Sequence, residues 1–230
     1  MPEVLKQSND YVMISNGMYG AYLDGIAPYK NSNNEIRYLV GIIIVGLDED
    51  SIPNEQAIQQ AILDLYIFKK NSEGKYELVS RTKELSEPTG KNGSPDGSEI
   101  NKQIKLLKSL GKDLVGTIGS FQTRMLQGYY DEYWQIVRLS EDNYITFDNI
   151  LKAQISGAEK DSPTYYNTTS NIKVTNDGSK NYPILVHYKG EEPIYKNDAD
   201  GFSHLSDVRD VDSVVIWQYS EPKSQYQIDK

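Results

Sequence analysis

The sequence predicts a mainly β, β-rich α+β protein in which antiparallel meander and hairpin sheets form a sandwich or a strongly curved sheet, with one or two short helices. Three observations carry that expectation. Residues 114–150 alternate with a period of two, residues 37–47 are almost unbroken in apolar character, and short strand-like segments separated by Asn, Asp and Gly recur along the chain.

Within 114–150, Tyr133, Gln135, Val137 and Leu139 alternate with Trp134, Ile136 and Arg138, the period a pleated strand requires. Glu141, Asp142 and Asn143 have turn chemistry, because Asp and Asn side chains bond their own backbone and tolerate left-handed dihedrals. Aromatic and β-branched residues resume at 144–147, which gives a hairpin. Upstream, residues 114–121 read as a strand interrupted by Gly116 and Gly119, the signature of a bulge or of a close approach by another backbone. Gly128 marks the corner into the Trp134 strand, so the stretch forms a meander of about three strands in the middle of one sheet.

Before it, residues 11–14 and 19–23 flank a Ser15-Asn16-Gly17 turn as a hairpin, Asp24-Gly25 closes that unit, and residues 28–34 are loop by composition. Residues 37–47 carry three consecutive isoleucines and two interior glycines, which favours a strand buried on both faces over a helix. Residues 54–63 place Ala57, Ile58, Ala61 and Ile62 at helical spacing behind an Asn54 cap. Residues 63–70 and 75–80 form a second hairpin around Asn71-Ser72-Glu73-Gly74. After a long loop at 84–98, a helix is expected from Ser98, with Ile100, Ile104 and Leu107 as its apolar stripe, Lys102, Lys105, Lys108 and Lys112 on the other side and Gly111 as its stop. Downstream, residues 156–171 read as a polar loop, 172–175 and 183–189 as paired strands, 190–210 as an acidic irregular loop, and 211–219 as a terminal strand followed by a frayed or edge tail. The whole, residues 1–230, is expected to be one β-rich domain.

Composition narrows the function. The formal charge of −9 argues against non-specific attraction to nucleic acid or anionic lipid, which need a positive field. With no cysteine there is no disulfide framework, thiolate metal site or cysteine nucleophile. The longest apolar run is too short to span a bilayer, so no transmembrane segment is expected. The first residues are polar and do not read as an export signal; a periplasmic or secreted location is favoured if such a signal was removed, and a cytoplasmic one otherwise. Tyrosine dominates the aromatics, 18 against 4 Phe and 2 Trp, and a tyrosine can bury its ring while its hydroxyl stays wet, which suits a partly covered binding face.

Nucleotide loops, zinc-protease helices and serine-nucleophile elbows are missing from the sequence, and no catalytic residues are assigned. Two clusters remain. Tyr129, Tyr130, Glu132, Tyr133 and Trp134, with Asp131, combine sugar-stacking faces with carboxylates and form a candidate binding surface for a glycan or protein ligand. Asp198, Asp200, His204 and Asp207 form an oxygen-rich candidate cation site, with calcium the ion it would suit, although Lys196 stands where a calcium loop has its first ligand. The function expected is a non-catalytic binding or structural domain of a bacterial envelope or secreted protein. The alternative is a glycan hydrolase using Asp131 or Glu132 with a distant carboxylate.

Overall fold

The computed structural model describes residues 4–7, 12–14, 19–50, 62–82, 99–122, 130–142, 144–156, 158, 165–198, 201 and 203–228. Six strands, β1 (Val4–Gln7), β2 (Val12–Ile14), β3 (Tyr19–Lys30), β4 (Ile36–Gly46), β5 (Ile62–Lys70) and β6 (Tyr76–Arg81), follow one another in a single antiparallel sheet. After helix α1 (Glu99–Lys105) come β7 (Leu107–Gly111), β8 (Leu114–Gln122), β9 (Tyr130–Arg138), β10 (Thr146–Ile155), β11 (Asn167–Val174), β12 (Ile184–Asn197), β13 (Ser203–Ser220) and β14 (Gln225–Ile228), neighbours in the same order in an eight-stranded sheet. The fold is mainly antiparallel β, as the sequence predicts. One domain is expected from the sequence; Cα packing separates two compact units within it, Met1–Ile118 with Val137–Phe147, and Gly119–Ile136 with Asp148–Lys230.

In the first unit, alternate residues of the six-stranded sheet face inward. Leu39 and Ile43 of β4 and Leu63, Leu65 and Ile67 of β5 are fully buried and share a core with Ile100 of α1 and with Val137, Leu139 and Ile145. Two turns of this sheet are built alike. Asn31 Oδ1 accepts the amides of Asn33 and Glu35, and Asn71 Oδ1 accepts those of Glu73 and Lys75. The left-handed position that each turn needs is filled by Asn34 (φ 63°) and Gly74 (φ 78°). At the far end of the sheet Thr82 takes over from β6: its amide donates to Leu65 O (2.9 Å), its hydroxyl accepts from Leu65 N (2.8 Å), and it forms a parallel bridge with Ile145.

Gly116 meets the expectation of a close approach: a Cβ there would lie 2.2 Å from Val137 O, so the space beside β8 is filled by the neighbouring backbone.

The second unit curls. β10 and β14 are four strands apart in the sheet order, about 19 Å if the sheet were flat. Yet Tyr226 N on β14 donates to Asp148 Oδ1 on β10 at 2.9 Å, and Tyr226 Oη donates to Tyr182 O at 3.0 Å. Ile150, Ile184 and Val186 are buried inside this curved sheet, where Tyr226 adds its ring.

Several expectations are corrected. Asp24 and Gly25 do not end a strand: β3 runs through them with a register shift between Leu23 and Gly25, and it continues to Lys30 where a loop was expected from residue 28. Helix α1 stops at Lys105, and Leu107–Gly111 is strand β7. There Leu107 pairs with Thr117, so pairing with β8 overrides the helical spacing and Lys108 and Lys112 leave the helix. Ile62 and Leu63, expected to end a helix, belong to β5, while residues 54–61 lie outside the described residues, as do the loop at 84–98 and Gly128. Of the loop at 156–171, residues from Asn167 onward are strand β11. The loop expected at 190–210 is a long hairpin of β12 and β13, whose paired register extends to Asn197 and Ser203. Its acidic and basic residues read as loop, but they alternate across a ribbon, with Glu192 opposite Arg209 and bonded to it.

Candidate functional site

Alternation along β9 separates the predicted binding residues. Glu132 and Trp134 project to one face, Asp131 and Tyr133 to the other. The first face is closed by a residue that the sequence did not single out. Lys152, on the neighbouring β10, bonds Glu132 Oε1 at 2.6 Å and Ser120 Oγ at 3.3 Å, and its ammonium sits 4.6 Å from the centre of the Trp134 ring. Trp134 Nε1 donates to Ser170 Oγ (3.0 Å), and that hydroxyl donates to Lys152 O (2.8 Å). The cluster is thus an internally satisfied ion pair, with one indole face occupied by a cation. The Glu132 and Lys152 side chains are only 17% and 25% exposed, and Asp131 stands on the opposite face, so the adjacent carboxylates do not form an acid and base pair.

On the other face of β9, burial with the nearby Asp131 charge pushes the Tyr133 hydroxyl above its usual range. Tyr130 lies on β9 as well, and Tyr129 is outside the described residues. Nothing in single-strand periodicity could have found Lys152, Ser120 or Ser170, because their meeting depends on inter-strand register.

At the tip of the β12–β13 hairpin, His204 Nε2 bonds Asp198 Oδ2 at 2.6 Å. Asp207 turns its carboxylate to Val208 N (2.8 Å), and Asp200 lies outside the described residues. Among the described residues no three carboxylate, imidazole or thiol side chains gather as a set able to hold a metal ion. His187 meets Asp212 at 2.5 Å, and that hydrogen bond holds the Asp212 carboxyl below the usual carboxylate range.

An open cleft of about 380 Å³ lies in the first unit, lined by Leu78, Arg81, Glu141, Asp142 and Tyr144 among others. Beside it Glu141 Oε2 accepts from Arg37 Nε (2.9 Å) and Nη2 (2.8 Å), while the same nitrogen reaches Glu35 (2.8 Å). The guanidinium is buried and the arrangement ties β4 to the turn that follows β9, a structural use of charge.

The largest chemical anomaly is the outer face of the six-stranded sheet. Tyr38, Val40 and Ile42 alternate with the core residues of β4 and so point away from the core. Cross-strand register sets Ile26 and Tyr66 beside Val40, and Phe68 with Leu78 beside Tyr38. The strand at 37–47 was expected to be buried on both faces. On its outer side Ile44 is buried, whereas Tyr38, Val40 and Ile42 are half-buried beside Leu23 and Ile26, which are 57% and 59% exposed. Charge enters this face at both ends and also in its middle, where the exposed Arg81 stands opposite Tyr66. Asp64, which accepts the Tyr66 hydroxyl at 2.7 Å, stands in the Leu23 and Ile42 row, whereas Lys70 lies over the Tyr38 and Tyr76 rings at 5.8 and 5.1 Å.

Among the described residues no helix is long and apolar enough to cross a membrane. Comparison with protein-family models, with curated proteins and with solved structures found no match to this chain.

Proposed function

We propose that this protein is a non-catalytic binding or structural domain, of the kind that bacterial envelope and secreted proteins use, and that its contact surface is the outer face of β3–β6. The observation that carries the reading is the exposed apolar face itself. A chain of net charge −9 that is 25% charged residues has ample polar surface, yet Leu23, Ile26, Ile36, Tyr76 and Leu78 are each at least half exposed on or beside one sheet. Contiguous apolar surface of this kind marks association sites in soluble proteins. The tyrosine-rich corner on β9 supports the reading less directly, since the Glu132, Lys152 and Trp134 groups already satisfy one another.

The test has two arms. A dye that fluoresces on apolar surfaces should bind the native protein and lose most of its signal in Ile26→Lys, with the far-ultraviolet circular dichroism unchanged. Equal signals from the two proteins would remove the surface from the argument. In the second arm, polysaccharide and ester substrates are screened for turnover. Turnover abolished by Glu132→Gln would replace this proposal with the glycan-hydrolase reading.

A further inference from the structure

Cations gather without acids at one edge of the eight-stranded sheet. Between Glu99 and Asp113 the chain carries Lys102, Lys105, Lys108 and Lys112 and no carboxylate, in a protein whose net charge is −9. β7 is the last strand of that sheet and, among the described residues, pairs with β8 alone. Lys105 ends α1, Lys108 stands on β7 and Lys112 follows it, so these lysines bracket the open edge. They are exposed, and among the described residues Lys105, Lys108 and Lys112 form no ion pair. Leu110 is fully buried and holds the strand in place.

An open edge carries a row of unpaired N–H and C=O groups, which another extended chain can complete. The lysines decide which chain. A second copy's β7 would set lysines among lysines in any register, because residues 100–112 contain no acid, and like charges facing each other across a strand pair are destabilising. An extended segment bearing carboxylates is favoured twice, by backbone pairing along about 16 Å of edge and by its charge. Polyanions without a peptide backbone meet the lysines but leave the edge unpaired.

We infer that the open edge of β7 takes up an extended acidic segment of a partner protein, added to the sheet as a further strand. The contact does not use the outer face of β3–β6. Fluorescein-labelled poly-L-glutamate, titrated with the full chain, should bind saturably, weaken as salt is added, and slow amide hydrogen exchange in β7. Lys108→Glu combined with Lys112→Glu should lose most of that binding with unchanged circular dichroism. Lys108→Gln combined with Lys112→Gln removes the charge without reversing it, should lose part of the binding, and serves if the first variant does not fold. Ile26→Lys should bind as the wild type does.

Wild-type protein that ignores poly-L-glutamate overturns the inference, as does binding that survives both double substitutions. Binding that is lost in them, yet leaves exchange in β7 unchanged and is reproduced by dextran sulfate, makes the edge a site for polyanions in general and removes the added strand. Binding lost in Ile26→Lys alone places the peptide on the outer face of β3–β6, which overturns this inference and leaves the reading above it standing.

Discussion

Thr82 offers a direct test of how the first unit is closed. β6 pairs with β5 up to Arg81, opposite Tyr66, and the next rung of the ladder is made in part by a side chain. The Thr82 hydroxyl accepts from Leu65 N at 2.8 Å and donates to Leu65 O at 3.2 Å, while its backbone amide donates to the same carbonyl at 2.9 Å. Thr82 and Leu65 are both buried, so water does not replace what is removed. Thr82→Val keeps the shape and the β-branch but leaves Leu65 N without its acceptor, which costs about 1–3 kcal/mol for an orphaned buried donor. For a chain of this size that corresponds to a fall in Tm of roughly 2–12 °C. Thr82→Ser restores the oxygen at the cost of one buried methyl, about 0.8 kcal/mol. Thermal melts followed by circular dichroism should therefore rank wild type above Ser and Ser above Val. If Val melts with wild type, or if Ser melts below Val, the hydroxyl is not acting as a rung and the account of this corner fails.

Two further outcomes are expected. Asp24 Oδ2 accepts from Ile100 N at 2.8 Å at the start of α1, so Asp24→Ala should lose about 0.5–2 kcal/mol of stability, as other helix-capping losses do, and Asp24→Asn should recover most of it; chemical denaturation of the three proteins checks the order. At alkaline pH, burial first and then the Asp24 charge push the Tyr22 hydroxyl up to about 12, and burial followed by the bond to Asp64 pushes Tyr66 up to about 12. Both values are raised above that of an unfolded tyrosine near 10, so the folded state favours the neutral phenol; the stability this gives is complete below pH 10 and is lost as pH climbs through about 12. Tyrosinate absorbance should rise later in the native protein than in denaturant, with Tm falling over the same window; coincident titrations would contradict the burial of these two rings.

What was legible in the chain follows from the range over which each signal acts. Turns built by one side chain on its own backbone are written locally, and Asn71 with Gly74 could be read directly because no distant residue takes part. Gly116 was readable too, since a strand glycine has few other uses, although the partner it accommodates, Val137 O, was not. Leu107 failed because helical spacing and strand alternation are both satisfied over so short an interval, and only pairing with Thr117 decides between them. The hairpin at residues 190–210 failed for a related reason. A two-stranded ribbon with charged residues across it, Glu192 against Arg209, lacks the apolar alternation that marks a half-buried strand. Gly190 (φ 140°), where a Cβ would meet Asn167 O at 2.0 Å, pairs with Thr168 at the close-packed position where β11 lies alongside β12. The Lys152 contact to Trp134 lay beyond reach, because register across two strands is a property of the folded sheet.

The same reasoning explains why β4 was misread on one side only. A strand that is apolar on both faces says that both faces leave water; it does not say whether the second cover belongs to the same chain. Inside, Leu39 and Ile43 meet Ile100 and Val137, and their burial is complete within the first unit. Outside, Tyr38, Val40 and Ile42 are half-buried and are flanked by the exposed Leu23 and Ile26. Selection for folding alone gives no reason to keep leucine and isoleucine at positions where Thr, Lys or Glu would hold a strand equally well and protect against aggregation. The contact surface proposed above would account for their retention.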